Sequence, residues 1–138
     1  MISVTGATSR YILQPSLMDM HNESIELKSS CELWKKEIAF FQKLLDKYAA
    51  SFAALDDKKR VDHFQNLIIY YGGELIPELH DKLRAHEMHL ARSLRELNES
   101  DTVYFTEHKE VIEELTSFAR SVEQFRAEFY AFIEEALR

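Results

Sequence analysis

Apolar side chains fall three and four residues apart along most of this chain, and that spacing divides it into long helices. From Leu27 the apolar positions run through Cys31, Trp34, Ile38, Phe41, Leu45, Tyr48, Phe52 and Leu55, in steps that alternate four and three without a miss. Such a heptad seam marks a helix held against other helices. Asn22 stands where a capping side chain would accept from the first free backbone N–H groups. The first helix is therefore expected over 23–54, a length of about 48 Å at 1.5 Å per residue. Asp56 and Asp57 suit the positive start of a second helix, as cap or first turn. Its seam runs through Val61, Phe64, Ile68 and Tyr71, and further on through Leu79, Leu83, His86, Leu90, Ser93 and Leu97. A turn at 98–101 precedes a third seam of Tyr104, His108, Val111, Leu115, Phe118, Val122, Phe125, Phe129, Phe132 and Ala136.

The second seam has one irregularity. Tyr71 to Leu75 and Leu75 to Leu79 are consecutive steps of four, a stutter that locally unwinds a supercoil. It coincides with Gly72, Gly73 and Pro77. Pro77 cannot donate to the Gly73 carbonyl and its ring crowds that group, which predicts a kink. A reversal at Gly72 and Gly73 would leave two pieces too short to cover neighbours of over thirty residues. The pattern thus predicts an all-α fold: an antiparallel, up-down-up three-helix bundle with a long kinked central helix. A four-helix bundle broken at Gly72 and Gly73 is the alternative. Counting outward from the turns sets Phe41 opposite Tyr71 and Phe129, and residue m of the second helix opposite about residue 200 − m of the third. Bulky rings then collect opposite the glycines, which are expected to admit Phe41 or Phe129.

Composition adds boundaries to this picture. Residues 1–22 show no helical period and mix Thr, Ser, Gly and Pro15, so they read as a loosely ordered arm before a single bundle domain at 23–138. The chain holds 138 residues with only three Gly and two Pro, one domain's worth of helix-rich sequence. A single Cys31 excludes an internal disulfide and fits a reducing, cytoplasmic setting. No signal segment and no membrane-spanning run is evident. The net charge of −7 lies almost entirely in the last forty residues, where ten acids face four bases. That distribution argues against nucleic acid and anionic membranes as partners.

The chemistry on offer is a set of histidines. His86 and His108 occupy seam positions, and His89 lies one turn from His86. The expected topology brings them to one end of the bundle with Glu26 and Glu87. His86, His89, His108, Glu26 and Glu87 are therefore the candidate ligands of a divalent transition metal such as zinc, iron or nickel. The competing reading is a set of polar seam residues satisfied by neighbours. No histidine has Glu three residues before it, as carboxylate-bridged two-iron bundles require. His63 and His80 flank the seam. Nucleophilic catalysis has less support, since Cys31 sits in the seam and no nucleophile elbow or phosphate loop occurs.

Four stretches, ELWKKEIAFF, VDHFQNLI, LHDKLRAHE and FTEHKE, together resemble a group of short, uncharacterised bacterial helical proteins. That resemblance spans about 30–135 and implies a stand-alone bacterial cytoplasmic protein with no activity attached. The expected function is a non-enzymatic helical bundle for protein–protein interaction or assembly, without cofactor, possessing a helical partner or a second copy. A metal-binding sensor or oxidase is the alternative.

Overall fold

The structure, a computed structural model, describes the backbone of residues 9–95 and 102–138 and the side chains of 17–93, 95 and 103–138. It is all-α. Helix α1 spans Ser9–Tyr48 and tightens into a short 3₁₀ turn at Ala49–Ser51. Helix α2 spans Leu55–Tyr70, a π turn occupies Tyr71–Leu75, and α3 follows at Ile76–Arg95. Helix α4 spans Thr102–Leu137. Among the described residues only 52–54 and 138 are not helical. The expected turn at 98–101 and the first eight residues of the expected arm lie outside the described residues.

Helix α1 begins at Ser9, so Asn22 lies inside it and is not its cap. The boundary expected at 23 differs because the seam looked broken by polar residues. The buried positions continue backwards from Leu27 as Ser24 and Leu17, on the same spacing. Leu17 packs with Leu90 and Tyr104 in a small apolar cluster, with Met20 and Phe105 at its margin. Serine at a buried position hides the period from an apolar count.

At the other end, α1 stops because Phe52 turns extended, with its N–H donating to the Ala49 carbonyl at 3.2 Å. The Phe52 ring stacks on Phe132 at 4.1 Å, with 13° between the planes, which pins the turn into the core. Ala54 is the cap residue of α2 and brings no side-chain bond. Asp56 and Asp57 lie in the first helical turn, where they favour the positive end of the helix without capping it. Arg60 bonds Glu135 at 3.1 Å and covers the Phe132 face at 4.4 Å.

From Leu55 to Arg95 the backbone is helical throughout, and the irregularity is absorbed by the π turn. The Ile76 N–H donates to the Tyr71 carbonyl, five residues back. One extra residue in the turn makes room around the carbonyl that Pro77 cannot serve. It also shifts the phase of the seam. Ile76, at 3% exposure, takes the core position in place of Leu75, which is only partly buried. The core positions then run Ile68, Gly72, Ile76, Leu79 and Leu83. Gly72 meets Ile38 rather than the expected Phe41 or Phe129: a β-carbon on Gly72 would lie 3.0 Å from Ile38 Cγ2. Gly73 has open space where its side chain would be.

The core is a ladder of rings. Phe41 touches Phe125 and Phe129 at 5.6 and 5.0 Å, and Phe64 touches Phe129 and Phe132 at 5.4 and 5.1 Å. Trp34 meets Phe118 edge-on at 5.0 Å. Between α1 and α4, partners rise together, from Glu23 with His108 to Glu37 with Arg126 and Phe41 with Phe129. Between the α2–α3 stretch and α4 they run oppositely, from Arg60 with Glu135 to Lys82 with Glu114 and His86 with His108. Gln42 and Gln65 join α1 to α2 through two amide bonds of 2.8 Å, each donating to the other. Helix α4 lies between one and two turns from its expected register, since His86 faces His108 where residue 114 was expected. The offset is about the same on both sides of the π turn, from Arg60 with Glu135 to Lys82 with Glu114, so the π residue does not cause it.

Candidate functional site: a buried histidine network

The main aromatic core ends near Leu83 and Val111, and the small cluster of Leu17, Leu90 and Tyr104 lies beyond it. Between them the heptad positions of α3 and α4 are filled by His86 and His108, both buried. Both rings are nearly shut off from water, so each polar nitrogen needs a protein partner. Tyr104 lies flat on His86, with ring centroids 4.3 Å apart and 3° between the planes. That stacking fixes the plane in which His86 bonds.

All four nitrogens of the two rings are engaged. His86 Nε2 meets His108 Nδ1 at 2.8 Å. His86 Nδ1 meets Glu107 Oε1 at 2.6 Å, and His108 Nε2 meets Glu23 Oε1 at 2.7 Å. His89 Nδ1 reaches the same Glu107 oxygen at 3.4 Å, a longer contact. The result is a chain of groups running from α1 through α4 and α3, with buried rings in the middle. Its two carboxylate ends are partly open to solvent, Glu23 at 51% and Glu107 at 41% side-chain exposure.

Proton counting sets the state of this network. The contacts Glu23 to His108, His108 to His86 and His86 to Glu107 each need one proton. Two neutral imidazoles carry two, so the fully bonded chain holds a third. Burial pulls the His86 imidazole below its usual range, although the bond to Glu107 works against that pull. Burial also tends to raise the Glu107 carboxyl, but its bonds to His86 and His89 prevail and hold it below the ordinary carboxylate range. The two shifts agree on one assignment: neutral His86 donates Nδ1–H to ionised Glu107. His86 Nε2 is then bare and accepts from Nδ1–H of His108. The remaining contact, His108 Nε2 to Glu23 Oε1, holds the third proton of the chain. The proton positions are assigned from this bonding pattern.

Burial, then Glu107 and Glu87, push the Tyr104 phenol far above its ordinary range, so it stays protonated beside the network. His21 Nδ1 and Ser24 Oγ on α1 are buried with no hydrogen-bond partner among the described residues.

Of the five expected site residues, the structure brings together His86, His89 and His108. Glu26 is exposed, and its backbone carbonyl accepts from the Ser30 hydroxyl. Glu87 acts on Tyr104 through its charge and is not bonded to the histidines among the described residues. The carboxylates that complete the site are Glu23 and Glu107. Glu107 directly precedes His108 and lies three residues after Tyr104, a flanking position that the seam itself could have flagged. Glu23 was hidden by the expected start of the helix. No group of three or more His, Cys, Asp or Glu with metal-holding geometry is found among the described residues. The ring nitrogens of His86 and His108 face each other and two carboxylates, not a common point.

Elsewhere, Cys31 lies at the base of a 260 Å³ cleft with Pro77, His80 and Asp81. Burial, aided by Glu32, pushes its thiol up to about 11, so the sulfur is no nucleophile at neutral pH. No described helix is long and apolar enough to cross a membrane. Comparison with family models, with curated proteins and with solved structures finds no match to this chain.

Proposed function

We propose that this chain is a non-enzymatic helical bundle that serves protein–protein interaction or assembly in the cytoplasm. In this reading α2, the π turn and α3 act as one kinked central helix of an up-down-up bundle. The ring pairs and ion pairs linking it to α1 and α4 support that topology. The observation that carries the functional reading is the placement of large apolar side chains on the outside of α1: Met18 at 48%, Ile25 at 46%, Leu33 at 61% and Phe40 at 52% exposure. Scattered exposed apolar residues are ordinary, but four on one helical face form a seam without a partner. The buried histidines supply a rigid polar layer, which fixes register in helical assemblies. Sedimentation and light scattering across a concentration series test the reading. Self-association or a co-purifying partner at stoichiometric level is expected. A protein that stays monomeric and purifies alone would overturn it.

A divalent transition metal is the second reading, favoured by the three imidazoles and two carboxylates in one continuous set. For an ion to bind, the facing ring nitrogens must part and turn toward it, to ligand distances of about 2.0–2.1 Å. Elemental analysis of untagged protein, with thermal shifts on adding zinc, iron or nickel, tests it. No bound metal and no shift would rule it out.

A further inference from the structure

The outward face of α1 is symmetric about its own midpoint. Met18, Ile25, Leu33 and Phe40 are spaced by seven, eight and seven residues. Filling in the positions between them gives Asn22, Ser29 and Lys36, all exposed. The steps from Met18 to Phe40 then read four, three, four, four, three, four, the same in either direction. The centre is Ser29. A second α1 laid antiparallel would set Met18 against Phe40, Ile25 against Leu33 and Asn22 against Lys36, with Ser29 of each copy at the centre. Each apolar side chain meets an apolar one, and the small serines let the helices approach where they cross. The face is about 33 Å long at 1.5 Å per residue.

Charge selects the antiparallel arrangement over a parallel one. Residues 17–27 carry Asp19, Glu23 and Glu26 and no lysine or arginine. Residues 28–48 carry five lysines against three acids. In the antiparallel register the acidic stretch 17–27 lies along 31–41 of the other copy, where Lys35 and Lys36 balance Glu32 and Glu37, whereas a parallel pair sets the acidic stretch against itself. Lys28 and Glu32 flank the stripe on the same side, close to the centre. In the antiparallel pair, Lys28 of each copy lies beside Glu32 of the other, giving two reciprocal ion pairs. The stripe also faces away from both neighbours of α1. Glu37 turns to Arg126 on α4, and Gln42 turns to Gln65 on α2.

From this face we infer that two copies of the chain pair antiparallel through the outer surface of α1, with the two-fold axis beside Ser29. The inference rests on the assembly reading above and names its partner.

Crosslinking of the full chain with a short bismaleimide tests it, with the buried Cys31 of the wild type as the unreactive control. Ser29→Cys is expected to form a covalent dimer. A mixture of Ile25→Cys and Leu33→Cys is expected to crosslink to each other in preference to themselves. Leu33→Glu is expected to weaken association by at least about tenfold, because symmetry removes the contact twice. Glu32→Lys weakens it as well, and Lys28→Glu together with Glu32→Lys restores it. All of these side chains are exposed, and circular dichroism verifies that the variants fold. Self-crosslinking of Leu33→Cys as efficient as its reaction with Ile25→Cys overturns the antiparallel arrangement. A dimer mass unchanged by Leu33→Glu overturns the assigned face and leaves the assembly reading standing. A monomeric wild type overturns the self-pairing, and only a stoichiometric foreign partner would then preserve the assembly reading.

Discussion

Gly72 and Gly73 are neighbours in the π turn, yet alanine at each should change stability in opposite directions. In a helix, alanine is favoured over glycine by about 0.8–1.0 kcal/mol, chiefly through backbone entropy. At Gly73 nothing lies within 4 Å of the new β-carbon, so Gly73→Ala should gain most of that amount. At Gly72 the β-carbon would sit 3.0 Å from Ile38 Cγ2. Ile38 is 3% exposed and held in the core, and a β-branched side chain has few rotamers in a helix with which to retreat. Overpacking of this kind costs about 1–3 kcal/mol. Set against the gain, Gly72→Ala should lie between neutral and about 2 kcal/mol destabilising, so the two variants should differ by about 1–3 kcal/mol. Urea unfolding followed by circular dichroism measures the difference as a shift in midpoint at constant slope. Ile38→Leu removes Cγ2 from the β-carbon and should reduce the penalty of Gly72→Ala in a double-mutant cycle. If both alanines stabilise equally, the close approach of α1 to the π turn is wrong. If both destabilise equally, the turn itself needs glycine for its backbone.

The histidine network supplies further expectations. His86→Ala strands His108 and leaves Glu107 with only the long contact to His89, so it should cost about 2–4 kcal/mol in the same assay, against less than about 0.5 kcal/mol for exposed Glu26→Ala. His86 and Glu107 are both held below their ordinary pKa in the fold, so in the window between folded and unfolded values the unfolded chain binds more protons. The contributions of these two groups should therefore be present above pH about 6.5 and fall as pH drops through the folded values, and Glu107→Gln should remove the carboxylate's part of that fall, below its ordinary value of 4.5. A Glu107→Gln variant that loses stability as steeply as wild type below that pH would contradict this. Nitrogen NMR of the imidazoles should find His86 protonated at Nδ1 and not at Nε2, and the opposite tautomer would require a protonated Glu107 and overturn the assignment. Cys31 should resist alkylation at pH 8 in the native protein and react once urea unfolds it, and rapid native labelling would place the thiol outside the core.

Helix content and the ring ladder are legible in the sequence because their signal is periodic. Phe41, Phe64, Phe125 and Phe129 recur at heptad spacing, and burying them needs no other information. What escaped is whatever breaks the apolar alphabet without breaking the helix. Ser24 is as buried as any leucine, so α1 looked shorter than it is. A π turn adds a residue without adding a core position, so Leu75 was read in the place that Ile76 holds. His86 and His108 were found together because both interrupt a seam, and an interruption at a seam position is conspicuous. Their carboxylates were not, because Glu23 and Glu107 flank the seam and half reach solvent, as ordinary surface glutamates do. Choosing Glu107 over Glu87 requires the direction of each side chain, which spacing alone leaves open by about a quarter turn.

The π turn also joins two parts of the molecule that have no other reason to agree. Toward α2 it borders the phenylalanine layers, and toward α3 it leads to the imidazoles. Deleting Gly73 would restore an ordinary helical count and rotate everything beyond it by about 100° relative to what precedes. Either the rings or His86 would then face the wrong neighbour. A lost codon at a residue whose missing side chain touches nothing should thus be far more damaging than most substitutions in the core. Gly73 matters to this chain as a unit of length, and its identity matters much less.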